Sequence, residues 1–345
     1  MRTVKTSSII SLMKHNFFTT LIWICILSQL SQAKTYSLEL TPHRQQYSPQ
    51  NSILSEKINW HIRSLNLETI WQKTRGAGVT IAILDTGLND PNHILSSKII
   101  DQKNFFNSKN NDTRDVYGHG TSVTGIITGF DRQNLNFTSV APESNILIAK
   151  VSDDQGTTQS KALSDAIIWA ADRGARIVSV SYSIVGLDPE IEKAAQYLYS
   201  KGGLVVHSTG NSGIEINRKN SAFLLAVGAS NLDFKRAKFS NYGEILDIVA
   251  PGVDLYTLSH TNQYTFESGT SFATPLVSAI LALAISCNPH ISVTDLVAAT
   301  FQTQSEANQC IWNKEIGWGI INPKILFENK LFSDCKLKSD MSSLY

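Results

Sequence analysis

The chain has 345 residues, 42% of them apolar, which is enough to bury one large core or two ordinary ones. Its 30 lysine and arginine residues nearly balance its 29 aspartate and glutamate residues, so no polybasic surface indicates binding to nucleic acid or to an anionic membrane. We therefore expect no nucleic-acid partner and look for function in local motifs.

The N-terminus has the pattern of a signal peptide. Its first 33 residues contain three basic residues and no acid, and the apolar run Phe17–Leu27 is followed by Ser31-Gln32-Ala33, which has small residues where a signal peptidase reads. Cleavage is predicted after Ala33, with Met13 as an alternative start. Because the run is well short of the roughly 20 residues that a spanning helix needs, we expect a secreted or periplasmic protein without stable membrane association.

The rest of the chain divides into three parts. Residues 34–57 are polar and predict a short leader segment, residues 58–328 form one domain, and residues 329–345 are a polar C-terminal tail. Within the domain, β-branched apolar runs alternate with amphipathic stretches. Strands are predicted at Val79–Leu84, Asn145–Val151, Ile177–Val180, Leu204–Val206 and Leu224–Val227, and helices at Ser160–Arg173 and Pro189–Ser200. This pattern predicts the α/β class, a three-layer α/β/α fold with a mainly parallel central sheet.

Three cysteines remain after the leader: Cys287, Cys310 and Cys335. An odd number leaves at least one unpaired or intermolecular. Export favours oxidation, and a bond that closes a loop of about 24 residues beside Cys310 would contribute roughly 3 kcal/mol. The sequence leaves the pairing open.

The first chemical motif is a buried strand that ends in a carboxylate and a glycine turn, Val79–Gly87. Asp85 arrives at the carboxyl end of the strand, where functional groups gather in parallel sheets and where an acid can fix a histidine tautomer. The plainer interpretation is that Asp85 only begins the turn after the strand. Asp85-Thr86-Gly87 is also typical of pepsin-like aspartic proteases, but these need two carboxylates that share a proton, and no second such triplet occurs.

The second motif, Tyr117–Gly125, places His119 between two glycines at the start of an apolar helix of small residues. Glycine on both sides lets other groups approach the ring closely. A histidine pKa of about 6.5 suits a general base at neutral pH. A packed or surface histidine is the plainer interpretation, and a metal site lacks a second His or Cys at ligand spacing nearby.

The third motif, Glu267–Pro275, introduces the apolar stretch Leu276–Ile285, which predicts a buried helix with Ser271 in its first turn. The free amides and the positive dipole end of that turn favour a developing anion. A simple helix cap is the plainer interpretation. The nucleophile elbow of α/β-hydrolases does not fit, because those enzymes place their acid and histidine after the serine.

Taken in chain order, Asp85, His119 and Ser271 in these contexts resemble the subtilisin-like serine proteases. The resemblance covers roughly residues 60–327 and includes further landmarks of the family. These landmarks are Thr209–Gly213, Phe239–Gly243, Val249–Gly252 and Gly317–Asn322.

The resemblance implies peptide-bond hydrolysis through an acyl-enzyme, in which Ser271 attacks, His119 takes its proton and Asp85 orients the ring. It also implies that the Asn211 amide and the Ser271 backbone N–H hold the oxyanion. The residues it places at the substrate are Ser181, Tyr182, Ser183 and Gly210.

Departures from the family pattern limit what is carried over. The family commonly has Ser-Leu-Gly where this chain has Ser181-Tyr182-Ser183, so side chains are expected to narrow the primary specificity pocket, and no cleavage preference is predicted. Leu88–Leu95 has no obvious Asp at the position of the family's tight calcium site, and Phe130–Thr138 is not a convincing calcium loop. The sequence therefore does not support a structural calcium ion, and we predict no cofactor and no metal. The short leader predicts folding without a pro-domain in cis.

The sequence therefore predicts a monomeric serine endopeptidase with a polypeptide substrate. Two alternatives share the fold: a peptide ligase or macrocyclase, in which an amine resolves the acyl-enzyme, and a catalytically silent binding module. The ligase needs added structure that shields the site, and no large insertion is visible. The silent module is disfavoured because every expected catalytic residue is present.

Overall fold

The structure is a computed structural model that describes residues 35–37, 58–134, 136–183, 188–302, 311–333 and 335. The predicted signal peptide lies outside these residues. The strands are β1 Thr35–Ser37, β2 Thr80–Asp85, β3 Ile99–Asn104, β4 Asn145–Lys150, β5 Thr157–Gln159, β6 Ile177–Val180, β7 Leu204–Ser208, β8 Leu224–Ser230, β9 Ile248–Pro251, β10 Leu255–Leu258 and β11 Tyr264–Glu267. The helices are α1 Trp60–Ser64, α2 Leu67–Trp71, α3 His119–Ile127, α4 Ser160–Asp172, α5 Pro189–Ser200, α6 Thr270–Cys287, α7 Val293–Phe301 and α8 Pro323–Glu328, with 3₁₀ turns at Ser96–Lys98 and Lys330–Phe332.

Seven strands form one parallel sheet in the order β3-β4-β2-β6-β7-β8-β9. Strand β2 lies inside the sheet between β4 and β6, and the chain passes from one side of it at β4 to the other side at β6. Connections therefore diverge around the carboxyl end of β2, where α/β sheets leave a crevice for ligands. Two antiparallel pairs, β1-β5 and β10-β11, lie outside this sheet.

Both faces of the sheet are covered. Alternate side chains of a strand point to opposite faces. In β2, Ile81 and Ile83 belong to the core that contains α3 and α6, whereas Ala82 and Leu84 belong to the core that contains α4 and α5. The continuous apolar runs of the sequence are therefore required, because neither face meets water.

The five predicted strands and the helices predicted at Ser160–Arg173 and Pro189–Ser200 are all present, with ends that move by no more than three residues. The three-layer α/β/α prediction is confirmed. The pattern missed β3, because this strand at the edge of the sheet has two apolar residues followed by four polar ones and is half exposed. It also missed the β10-β11 hairpin, whose strands have four residues each.

Both ends of the domain involve segments that the sequence had placed outside it. Thr35–Ser37, from the leader, pairs antiparallel with β5. At the other end, Phe332 is buried against Phe327, and Cys335 forms a disulfide with Cys287 at the end of α6. The predicted polar tail thus begins with a packed segment. Cys310 lies outside the described residues.

Helix α6 runs through the core. Of the helices in the described ranges, it alone is long and apolar enough to cross a membrane, with a mean hydropathy of 1.8, and 89% of that stretch is buried in the protein. Core helices of globular proteins have the same composition, because they are surrounded by apolar side chains on all sides.

Candidate active site

Side chains alternate between the two faces of the sheet along β2, and this alternation determines the face on which Asp85 lies. Asp85 shares the odd-numbered register with Ile81 and Ile83, so its side chain leaves the strand on the face that α3 and α6 cover. The first turns of these two helices contain His119 and Ser271. Three segments distant in sequence therefore converge at the carboxyl end of β2.

Asp85 and His119 form a direct hydrogen bond. Nδ1 of His119 lies 2.8 Å from Oδ1 of Asp85, and both side chains are almost completely buried. An ionised carboxylate only accepts hydrogen bonds, so Nδ1 donates the proton and the other ring nitrogen, Nε2, is left as the acceptor. This is the tautomer that a general base needs.

The electrostatics favour a charged ring. Burial alone would lower the pKa of His119, but the negative charge of Asp85 and its hydrogen bond, with added contributions from the charges of Asp115 and Glu267, raise this pKa above its usual value. The second carboxylate oxygen of Asp85, Oδ2, is buried and accepts no hydrogen bond from the part of the chain described. The negative charge on the Asp85 carboxylate can therefore stabilise the protonated ring of His119.

Glycines bring the histidine helix close to the Asp85 turn. A Cβ atom on Gly120 would lie only 2.3 Å from the carbonyl oxygen of Gly87, so a side chain there would separate the two segments. Gly118, just before the helix, has a φ of 98°, which is strained for any residue with a side chain. Glycine at position 120 thus allows the start of the helix to pack closely on the turn after Asp85.

Ser271 lies in the first turn of α6, as the sequence predicts. Its Oγ is 3.4 Å from the carbonyl oxygen of Ser181, and the Ser181 hydroxyl donates to the carbonyl of Ser271 at 2.9 Å. The ring of the next residue, Phe272, lies 5.3 Å from the ring of His119, measured between centroids. The serine, the end of β6 and the histidine thus meet in one place.

The amide of Asn211 has a fixed orientation. Its Oδ1 accepts hydrogen bonds from the backbone N–H and the hydroxyl of Thr270, both at 2.9 Å. A Cβ atom on Gly269 would lie 3.4 Å from Nδ2 of Asn211 and 3.6 Å from the backbone nitrogen of Ser271. Both predicted oxyanion donors therefore border one space, which is open because residue 269 has no side chain.

Comparison with known proteins agrees with this arrangement. The model of the subtilase family matches residues 76–319, which is more than half of the chain. The chain belongs to the subtilase family. The subtilase is accordingly a serine endopeptidase by class.

Relatives of this subtilase are about 30% identical to it over the residues that align. The thermophilic serine proteinase of Bacillus sp. (strain AK1) is 33% identical over 244 residues, which are 70% of this chain and 57% of that protein. Thermitase of Thermoactinomyces vulgaris is 28% identical over 70% of this chain and 86% of its own length. Subtilisin DY of Bacillus licheniformis is 29% identical over 73% of this chain and 91% of its own length. The chain thus spans little more than half of the first relative and most of the other two.

Two buried groups of the subtilase site were not predicted from the sequence, and Asp115 is the first. One carboxylate oxygen of Asp115 accepts from the hydroxyl of Thr86 and the amide of Gly118, and the other accepts from the amide and hydroxyl of Thr121, all within 2.8 Å. Asp115 thereby caps the histidine helix and fixes it to the residue after Asp85. The sequence feature that could have identified Asp115 is an acidic residue four positions before His119.

Lys150 is the second of these groups. Its Nζ donates to the carbonyl oxygens of Thr86 and Arg114 at 3.0 and 2.8 Å, and it forms an ion pair with Asp154 at 3.2 Å. Strand pairing places Lys150 opposite Asp85. The lysine therefore joins the turn after Asp85 to the loop before the histidine, and no local pattern reveals those distant carbonyl partners.

The loop that carries Asn211 is held by a second asparagine. Asn241, one of the family landmarks, accepts from the amides of Ser212 and Ile214 and donates to the carbonyl of Thr209. Gly210 has a φ of 104°, and its amide donates to the Thr270 hydroxyl while its carbonyl accepts from the Asn241 amide. The backbone of Gly210 thus helps to position its neighbour, and a direct role at the substrate remains a prediction.

The predicted substrate strand continues from β6. Ser181 contacts Ser271 as described, and Ser183 is partly exposed. Tyr182 is only 1% exposed and its side chain packs with α4 and α5 on the opposite face of the sheet. Its side chain is therefore not available to a substrate, and any contact from Tyr182 must come from its backbone.

No group of three or more His, Cys, Asp or Glu side chains that could hold a metal ion occurs in the part of the subtilase that the structure describes. In the segment Leu88–Leu95, the carboxylate of Asp90 accepts from the amides of Ile94, Leu95 and Ser96 at 2.7–2.9 Å. The carboxylate of Asp90 therefore already accepts hydrogen bonds from three backbone amides. Independence from metal remains a prediction.

Proposed function

We propose that this subtilase is an exported, monomeric endopeptidase that hydrolyses polypeptides through an acyl-enzyme on Ser271. The observation that carries the proposal is the 2.8 Å bond between His119 Nδ1 and Asp85, because it leaves Nε2 as a base on a ring that lies 5.3 Å from the ring of Phe272, the residue after Ser271. Export is inferred from the basic and apolar pattern of residues 1–33.

In the proposed reaction, Ser271 Oγ attacks the scissile carbonyl carbon while Nε2 of His119 takes the hydroxyl proton. The negative charge on the carbonyl oxygen is stabilised by Nδ2 of Asn211 and the backbone N–H of Ser271. The tetrahedral intermediate collapses, the C–N bond breaks, and the imidazolium gives its proton to the leaving amine. Water then repeats the sequence on the ester, which releases the acid and restores the hydroxyl.

The proposal is tested with the full chain, a fluorophosphonate probe and an unstructured protein substrate. The wild type should hydrolyse the substrate and form one covalent adduct, whereas Ser271→Ala should do neither, because the attacking oxygen is absent. Thr261→Ala, in the β10-β11 turn, serves as a matched control for the loss of a hydroxyl and should be labelled normally. Labelling that persists in Ser271→Ala contradicts the assignment of the nucleophile, and a wild type that is neither labelled nor active supports the silent binding module.

A further inference from the structure

His207 is a buried histidine that the proposed mechanism does not use. It lies in β7, four residues before Asn211, and is fully buried. In the alternation of β7 it shares a face with Val205, which belongs to the core that contains α4 and α5 and not to the core that contains α6. A polar ring among apolar side chains costs free energy unless its nitrogens have hydrogen-bond partners. The atoms that face these nitrogens therefore indicate what the residue does.

Both ring nitrogens face oxygen atoms at the base of the Asn211 loop, which is formed by residues 209–223 between β7 and β8. Nδ1 lies 3.1 Å from the carbonyl oxygen of Ser208, the last residue of β7. Nε2 lies 3.2 Å from Oδ1 of Asn220, which is 13 residues further along the chain and near the end of the loop. The ring of His207 thus connects the strand that enters the loop with the segment that leaves it.

The amide of Asn220 has a fixed orientation. Its Nδ2 donates to the carbonyl oxygen of Leu224 at 3.0 Å and to Oδ2 of Asp247 at 2.6 Å. The same carboxylate oxygen accepts from the backbone amide of Ala226 at 2.8 Å. If the Asn220 amide turned over, its oxygen would face two other acceptors, and both of its hydrogen bonds would be lost. Oδ1 of Asn220 is therefore directed at the histidine.

The protonation states of Asp247 and His207 give these hydrogen bonds a direction. Burial raises the pKa of Asp247 to about 6, although the hydrogen bonds from Ala226 and Asn220 lower it, so the carboxylate is ionised at mildly alkaline pH and only accepts. Burial lowers the pKa of His207 below its usual value, although the hydrogen bonds with Asn220 and Ser208 raise it. The ring is therefore neutral at that pH and has a single N–H.

This single N–H is at Nε2. Donation to an ionised carboxylate polarises the Asn220 amide, so its Oδ1 is a stronger acceptor than the carbonyl oxygen of Ser208. An unprotonated Nε2 would place two acceptors 3.2 Å apart at this position. A directed chain of hydrogen bonds therefore runs from His207 through Asn220 to Asp247.

This hydrogen-bond chain holds the second half of the loop, whereas Asn241 holds the first half around Asn211. It joins Asn220 to His207 in β7 and to Asp247, which directly precedes β9. The loop is thus held at both ends by groups of the sheet. An oxyanion donor is effective only in a precise position, so both ends contribute to placing the Asn211 amide.

We infer that His207 is a positioning residue of the proposed reaction, which holds the Asn211 loop through a hydrogen bond from Nε2 to Asn220. The inference rests on the proposed acyl-enzyme mechanism, because the oxyanion donor on this loop is the Asn211 amide. His207 acts only through the loop, since its ring lies on the face of the sheet away from α6 and Ser271. Its loss should therefore lower kcat and leave KM nearly unchanged.

The test compares three replacements of His207 in the full chain. Glutamine places a side-chain N–H near the position of Nε2, asparagine places one near the position of Nδ1, and leucine has none. His207→Gln should keep kcat within about 3-fold of the wild type, whereas His207→Asn and His207→Leu should lower kcat about 10-fold, with KM within about 2-fold. Both constants are measured with a chromogenic peptide anilide at about pH 8 and are referred to the concentration of sites that a fluorophosphonate labels.

His61→Leu is the matched control, because it removes another buried imidazole, in α1. This variant should keep the wild-type kcat whatever happens to its free energy of unfolding. Nitrogen-15 NMR of the wild type at the same pH should show a proton on Nε2 of His207 and none on Nδ1, and the signal is assigned by its absence from His207→Gln. Neither this spectrum nor the comparison of glutamine with asparagine depends on the folding of the leucine variant.

Equal kcat values of the glutamine and asparagine variants, or a leucine variant with the wild-type kcat, would overturn the inference. A fall in kcat that His61→Leu shares would also overturn it, because the effect would then follow from a general loss of stability. A proton on Nδ1 of His207 in an active wild type overturns this role and leaves the proposed function standing. A wild type that neither hydrolyses the peptide nor reacts with the fluorophosphonate overturns both.

Discussion

Replacing Asn211 with leucine removes the side-chain N–H proposed to stabilise the oxyanion. The Oδ1 atom of Asn211 is committed to Thr270, so the amide cannot turn over without losing two hydrogen bonds, and Nδ2 is held beside Gly269 and the Ser271 nitrogen. This donor meets a full negative charge only in the transition state. Its loss should therefore lower kcat and leave KM nearly unchanged.

The expected fall in kcat is about 10²–10³, or about 2.7–4 kcal/mol, which is the known cost of removing this kind of donor in subtilisin, a member of the same family. Leucine also removes the two hydrogen bonds that Asn211 accepts from Thr270, at about 1 kcal/mol of stability each. The effects on rate and on stability must therefore be measured separately.

Steady-state kinetics with a chromogenic peptide anilide give kcat and KM, and urea unfolding gives the free energy of unfolding. Asn211→Asp is the second variant, because it keeps an acceptor for Thr270 but places an oxygen where Nδ2 was. It should lose at least as much kcat as the leucine variant while losing less stability. A folded leucine variant within 10-fold of the wild-type kcat, or a loss found only in KM, would refute the assigned role.

Two further predictions concern the base and the disulfide. Asp85→Asn removes the negative charge that raises the pKa of His119, whereas burial still lowers this pKa. The acid limb of the profile of kcat/KM against pH should therefore move to lower pH, and the rate should fall by about 10⁴. An acid limb that moves to higher pH would contradict this prediction. Cys335→Ser opens a loop with a sequence separation of 48 residues and should cost about 4 kcal/mol in urea unfolding. Reductant should lower the wild type to the value of the variant and leave the variant unchanged, and equal stability of the two oxidised proteins would contradict the bond.

The sequence predicted those parts of the site that depend on local order. Asp85, His119 and Ser271 each follow from a strand end or a helix start, and the parallel sheet brings such ends together. Their chain order then indicated the family, and the family model confirms it. The fold was predictable for the same reason, since strands covered on both faces have continuous apolar runs.

The groups that hold the site together were not predictable, because their partners are distant in sequence. The lysine at position 150 reaches a carbonyl 64 residues away, and Asn241 holds a loop about 30 residues before it. Glu267 is the first residue of the serine motif, but only the pairing of β11 with β10 decides which face it occupies. The periodicity of apolar residues predicts which side chains are buried, but it does not predict which distant group forms a hydrogen bond with a buried polar atom.

The pairing of Thr35–Ser37 with β5 occupies one edge of that strand. Strand β5 leads directly into α4, and the Tyr182 hydroxyl donates to the carbonyl of Gly156 just before β5, so this edge is next to the predicted substrate strand. While Thr35–Ser37 occupies it, the backbone donors and acceptors of that edge are satisfied within the chain. An incoming extended polypeptide and the leader cannot use the same row of amides and carbonyls. Removal of residues 35–37 would therefore leave the backbone amides and carbonyls of β5 that now pair with them without those partners.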